Sequence, residues 1–170
     1  MTLITSNLPI LDMSTSTTGC CPVFNPKDWD NKTFEFKNKL FIKGTTASFS
    51  YIPLNMSKVM NRMQKQAEQN DAVAKDFILL SQDTSPWHAD HYYAVTKEIA
   101  GAKMAVLNGQ FYAKVYEGPF KNADKWHKDL IETVKKNGQE LKQSFFYYTT
   151  CPKCAKVYGK NFVVGLAQIA

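Results

Sequence analysis

The chain has 170 residues, 44% hydrophobic and 21% charged, which suits one globular domain with a real core and excludes disordered and fibrous classes. Its net charge is +6, but the lysines are scattered and Arg62 is the sole arginine, so no basic stripe tracks a phosphate backbone and nucleic acid is not an expected partner. No run approaches the roughly 20 apolar residues of a membrane helix, and the N-terminus lacks the basic region and apolar core of a signal peptide, so no membrane partner and a cytoplasmic location are expected.

In chain order, residues 1–19 read as a mobile, Ser/Thr-rich tail, and residues 20–170 as a single domain. The lead-in CCPVFNPKDWDNKTFEF is irregular. Lys37–Lys43 is predicted as a short strand broken by Gly44, with a second strand over Ala47–Ile52 ended by Pro53. Asn55 or Ser57 can cap a helix whose apolar face is Val59, Met60, Met63 and Ala67. Phe77–Leu80 reads as a strand, SQDTSPWHAD as a loop and His91–Glu98 as another strand, with a turn at Gly101.

The second half repeats the order. Met104–Leu107 and Gln110–Tyr116 are extended, and Glu117-Gly118-Pro119 ends the run sharply. Asn122 or Asp124 can cap a second helix striped by Trp126, Leu130, Ile131 and Val134, with Gly138 as its C-terminal cap. Gln143–Tyr148 is a strand crowded with aromatics, Thr149–Lys160 a loop, and Asn161–Ile169 the closing strand. The stretches Gly44–Glu98 and Gly109–Ile169 thus both read as strand, helix, strand, strand. The expected fold is α+β, a duplicated unit forming a pseudo-twofold antiparallel sheet with a central ligand groove.

Aromatics reach 13%, which points to an aromatic-lined core or pocket for a small hydrophobic or aromatic molecule. Glu117 ends an aromatic strand, where partial desolvation would raise a carboxyl pKa and suit a general acid or base, or where an ionised carboxylate would bind an organic cation; a turn carboxylate at a helix start is the plainer alternative. Trp87, beside His88 and Asp90 in a turn-rich segment, can lid a pocket and stack on a flat or cationic ligand, or simply anchor its loop. By strand parity, Tyr93, Tyr112 and Tyr147 are the tyrosines chosen to face the groove, and a one-residue slip in register would reverse each.

Cys151-Pro-Lys-Cys154 is a C-x-x-C turn, which brings two sulfurs within reach of one tetrahedral ion. Cys20 and Cys21 could complete a structural zinc site that pins the lead-in to the last hairpin. Reduced structural thiols, or disulfide and redox use, remain open alternatives; redox use is disfavoured because the motif is expected to precede a loop rather than open a helix. No cofactor is required for activity on this reading. No G-x-S-x-G elbow, phosphate-cradling glycine loop or dinucleotide fingerprint is present, which removes the commonest nucleotide-dependent enzymes.

The segment FYAKVYEGPFKNADKWHKDLIETVKKNG resembles the second strand-helix unit of GyrI-like small-molecule-binding proteins, and Tyr116-Glu117-Gly118-Pro119-Phe120 resembles their recurring Y-x-G-P-[YF] turn. The remainder, from CCPVFNPKDWDNK through SPWHADHYYAVTKE to YYTTCPKCAKVYGKNFVVGLAQI, resembles a hydrolase-like bacterial subgroup of them. The resemblance implies a ligand groove and either of two activities. A stand-alone hydrolase of strained electrophiles would use Glu117 as the acting carboxylate with Trp87 as its aromatic partner. A non-catalytic protein would sequester or sense hydrophobic or cationic compounds, with Glu117 as counter-ion.

Overall fold

The computed structural model describes residues 4–5, 7–10, 13–17, 21–50, 52–149 and 152–170. It is a mixed α/β fold in which antiparallel strands predominate, divided into two compact units: Lys37–Asn108, and Met1–Phe36 with Gly109–Ala170. The division falls inside two long strands, β2 (Lys32–Phe49) and β6 (Met104–Glu117). Among the described residues no helix is long and apolar enough to cross a membrane.

In the Lys37–Asn108 unit, β2 pairs antiparallel with β5 (His88–Ala94) from Phe41↔Ala94 to Ala47↔His88, and β5 pairs with β4 (Leu79–Ser85). A short β3 (Ile52–Pro53) folds back on the end of β2. The helix α1 (Met56–Gln69) buries Val59, Met63 and Ala67 against Ile42, Ala72, Val95 and Ile99. Burial of each large apolar side chain there stabilises the fold by roughly 1.5–3 kcal/mol.

Three expectations for this unit are corrected. Gly44 does not break the strand; it lies inside β2, where an added Cβ would come within 2.7 Å of Val59 Cγ1 and 2.9 Å of Met63 Sδ. Glycine is there because the helix approaches the strand closely, not because the chain turns. Asn55 holds the cap position of α1, but its Oδ1 accepts from the Ala47 N–H at 2.8 Å and makes no cap bond, so it ties the helix start to β2. The SQDTSPWHAD segment is a tight hairpin of β4 and β5 rather than a loop, because Ser and Thr side chains supply local bonds and leave the strands intact.

In the other unit, β8 (Phe162–Gln168) lies between β6 and β7 (Gln143–Tyr148), antiparallel to both. A two-residue β1 (Ile4–Thr5) pairs parallel with the start of β2. The helix α2 (Ala123–Lys136) buries Trp126, Leu130 and Val134, the last two in a core with Tyr112 and Ala167. It ends as the sequence suggests: Gly138 has φ of 73° and its N–H donates to the Lys135 carbonyl. Gly165 of β8 lies under this helix, where a Cβ would meet Leu130 Cδ2 at 3.2 Å and Tyr116 Cε2 at 3.1 Å. The runs Met104–Leu107 and Gln110–Tyr116 join in the one strand β6, with Gly109 in its interior.

The segment expected as a loop over Thr149–Lys160 contains a short helix, α3 (Pro152–Tyr158). Proline at its first position suits a helix start, since that N–H would have no helical partner anyway. The motif therefore runs into a helix, which removes the structural ground on which redox use was set aside. On the remaining side of this unit, Trp29 packs against Phe34 at 5.1 Å, Tyr147 at 5.5 Å and Phe24 at 6.4 Å between ring centroids. Phe111 stacks on Phe36 at 4.5 Å and meets Phe145 at 6.1 Å.

Candidate functional site

Trp87 stands at the tip of the β4–β5 hairpin. The Ser85 hydroxyl accepts from the N–H groups of both Trp87 and His88 at 3.1 Å, which fixes the turn, and the Trp87 carbonyl accepts from Ser48 N–H at 2.6 Å. A rigid backbone thus holds a side chain that is 52% exposed. Its ring lies 5.7 Å from that of Phe49, itself 61% exposed, and the exposed Leu54 is tethered nearby in sequence by its N–H to the Ala47 carbonyl. By contrast, the other two tryptophans, Trp29 and Trp126, are buried. The hairpin tip is an aromatic surface open to solvent.

Further along the same hairpin, Lys43 and Thr45 of β2 oppose Tyr92 and Asp90 of β5. Thr45 Oγ1 donates to Asp90 Oδ1 at 2.8 Å, and Lys43 Nζ lies 3.4 Å from Asp90 Oδ2 and 5.7 Å from the Tyr92 ring centroid. This ion pair with its aromatic wall was not singled out from sequence, because only the strand register brings its members together.

The opposite face carries a buried polar row. His91 is 2% exposed, with Nδ1 at 2.8 Å from Ser81 Oγ and Nε2 at 2.9 Å from Thr46 Oγ1. Burial pushes its pKa down to about 4 against a smaller opposing effect of the Asp90 charge, so the ring is neutral near pH 7. Thr46 is fully buried and so out of reach of a substrate; the hydroxyl–imidazole–hydroxyl chain cross-links three strands. Ser48 Oγ, on the same face of β2, is buried and has no hydrogen-bond partner among the described residues.

Glu117 ends β6 opposite Phe162. The turn after it is clasped by two bonds, Gly118 N–H to the Asn161 carbonyl at 3.1 Å and Asn161 Nδ2 to the Gly118 carbonyl at 2.8 Å. The carboxylate is exposed, held at a fixed backbone position but wet. Its neighbour Tyr116 points the other way, stacking on Trp126 at 5.7 Å and donating to Asp129 Oδ2 at 2.8 Å. Lys114 Nζ donates to the same oxygen at 2.5 Å and to Thr133 Oγ1 at 3.0 Å. The Lys114 bond, opposed in part by burial, holds Asp129 below the usual carboxylate range, while burial and the Asp129 bond push the Tyr116 phenol up.

The three chosen tyrosines are packed in protein. Tyr93 is half-buried beside Phe77, at 4.7 Å, and belongs to the α1 core. Tyr112 lies in the α2 core with its hydroxyl donating to Asn31 Oδ1 at 2.8 Å. Tyr147 is buried edge-on to Trp29. Burial is the main cause of a raised phenol pKa at all three.

Cys20 and Cys151 lie outside the described residues. Cys21 is half-buried and Cys154 is buried. Tyr158, one helical turn beyond Cys154 on α3, donates to the Cys21 carbonyl at 2.6 Å and so ties the lead-in to that helix. Among the described residues, no group of three or more His, Cys, Asp or Glu side chains is arranged to hold a metal ion.

A family model described as bacterial hydrolase matches residues 11–169. One solved structure, SAV2435 bound to tetraphenylphosphonium, is similar to this chain with a TM-score of 0.50, covering 82% of this chain and 93% of that one at 10% identity. At that identity the likeness concerns the fold. No curated protein matches the chain.

Proposed function

The chain belongs to the bacterial hydrolase family, and on that premise we propose that it binds small hydrophobic and aromatic compounds, organic cations included. The observation that carries this reading is the Trp87–Phe49 pair, two exposed rings, one on a hydrogen-bonded hairpin and the other at the end of β2, which bonds to that hairpin through Ser48 N–H and the Trp87 carbonyl. An exposed indole face attracts flat and cationic ligands, with about 0.5–2 kcal/mol from the cation–π contact alone. SAV2435, the similarly folded protein, carries such a cation, and the resemblance of the Tyr116–Phe120 turn to GyrI-like binding proteins points the same way. In this reading the repeated order of strand, helix, strand, strand is a duplication, and Glu117, an exposed carboxylate of the Gly109–Ala170 unit, is a separate counter-ion candidate.

Tetraphenylphosphonium titrated into the full chain by calorimetry tests the proposal. Saturable binding is expected, and Trp87→Ala should weaken it about 5- to 30-fold, matching 1–2 kcal/mol of lost contact, while leaving stability unchanged because the ring is exposed. Equal affinity in wild type and variant would refute the role given to Trp87.

The family's description favours a second reading, hydrolysis of strained electrophiles with Glu117 acting on the ring or on water. Mass spectrometry after incubation with cyclopropane- and epoxide-bearing aromatics decides it. A product heavier by one water, formed by wild type and not by Glu117→Gln, establishes hydrolysis; unchanged compound with ligand-induced thermal stabilisation leaves binding alone.

We also propose a structural zinc held by Cys20, Cys21, Cys151 and Cys154, supported by the Tyr158 bond that draws the Cys21 backbone to α3. Elemental analysis of purified protein should find one zinc per chain, lost in Cys154→Ser.

A further inference from the structure

An open groove of about 660 Å³ runs beside α1 in the Lys37–Asn108 unit, lined among others by Thr45, Asn55, Lys58, Arg62, Lys65 and Gln69. Positions 58, 62, 65 and 69 recur at steps of four, three and four, which places them in one stripe along the helix, beside the buried stripe of Val59, Met63 and Ala67. We propose that this groove binds a small organic anion carrying phosphate or carboxylate groups, gripped by the Arg62 guanidinium between Lys58 and Lys65.

Charge balance is the first ground. The helix carries these three cations against a single carboxylate, Glu68, which accepts from Gln64 Nε2 at 2.8 Å. Among the described residues no ion pair engages Lys58, Arg62 or Lys65, whereas Lys39, Lys43, Lys114 and Lys128 each have an aspartate partner. Asp90, which accepts from the lining residue Thr45, is also paired with Lys43.

Residue choice is the second. The chain uses lysine for 20 of its 21 basic positions and arginine only at 62. Lysine suffices where a solvated charge is wanted; the planar five-donor fork of arginine matches a carboxylate or phosphate with two parallel hydrogen bonds. The remaining lining is rich in amides, including Gln66 and Asn61, which donate to oxygen. Asn55 gives its Oδ1 to the Ala47 N–H, which leaves its NH₂ as the group able to meet an anion. The volume falls in the range of pockets for metabolite-sized ligands rather than bare ions.

The test uses the full chain with pyrophosphate and citrate as probes, titrated at constant ionic strength and read by calorimetry and backbone amide shifts. Saturable binding of at least one probe is expected, with shifts confined to α1 and its flanking strand. Arg62→Gln should weaken it at least tenfold, and Arg62→Lys severalfold, because the charge stays but the fork is lost. Lys97→Gln removes the same unit of charge away from the groove and should leave affinity intact. Preference for pyrophosphate or citrate assigns the ligand to phosphates or carboxylates. Shifts that follow ionic strength alike for chloride, an equal loss in Lys97→Gln, or binding of duplex DNA in place of both probes would each overturn the proposal. Arg62 is exposed, so the variants fold, and matched unfolding midpoints check this. Failure here leaves the binding of tetraphenylphosphonium at Trp87 unaffected.

Discussion

His91 couples stability to pH. Its folded pKa is about 4 against 6.5 in the unfolded chain, so between these values the unfolded state binds a proton that the native state refuses. Stability attributable to this group is complete above pH 6.5 and declines as pH falls, by about 1.4 kcal/mol per unit and about 3 kcal/mol in all by pH 4. Urea midpoints at pH 7.5, 6 and 5 should show the decline in wild type and a flatter profile in His91→Gln, which starts lower at neutral pH by about 1–2 kcal/mol for the lost bonds. Asp129 acts in a lower window. Its depressed pKa contributes stability above the unfolded value near 3.8, lost as pH falls through the folded value. Asp129→Asn should cost about 1 kcal/mol at pH 7, modest because the pair is partly exposed, and the difference from wild type should vanish once wild-type Asp129 is itself protonated.

At the scale of the elements, both glycines that lie beneath helices are inside strands. Gly44→Val would drive a branched side chain into Val59 and Met63, and overpacking of this kind costs about 1–3 kcal/mol. The double variant Gly44→Val with Met63→Ala should recover part of that loss in urea unfolding, a coupling that two unrelated sites would not show. The same glycines explain what could be read in advance. Helices α1 and α2 and strand β7 follow from their periodicities, because a core-facing stripe leaves a local pattern. Gly44 reads as a break because the reason for glycine there, the close approach of α1, is not local. The α3 helix has seven residues, too few to leave a helical periodicity in the sequence. At the candidate site, Trp87 could be found as an aromatic among turn formers, whereas the Lys43–Asp90 pair and the Thr46–His91–Ser81 chain exist only through cross-strand register. Parity does not place the tyrosines because consecutive residues are buried in two of their strands, His91 with Tyr92 in β5 and Phe111, Tyr112 and Ala113 in β6, so protein covers both faces there.

Across the whole molecule, the charge of +6 invites the thought of nucleic acid, and its distribution argues against it. Affinity for duplex DNA depends on how many phosphates are neutralised together, with log K falling against log salt at about 0.9 per contact. Among the described residues Lys39, Lys43, Lys114 and Lys128 are paired with aspartates, and the α1 stripe of Lys58, Arg62 and Lys65 offers at most three contacts. A stripe of that length gives a salt slope no steeper than about −3, against slopes near −10 for proteins that bind operators. Fluorescence anisotropy with a labelled duplex should therefore detect weak association at 20 mM salt and none at 150 mM. A slope beyond about −5, or binding that persists at 150 mM, would require a larger basic surface than these contacts supply and would return nucleic acid to the partners of this chain. If instead the weak low-salt binding disappears in Arg62→Gln, the residual affinity for DNA and the affinity for small anions reside in the same groove.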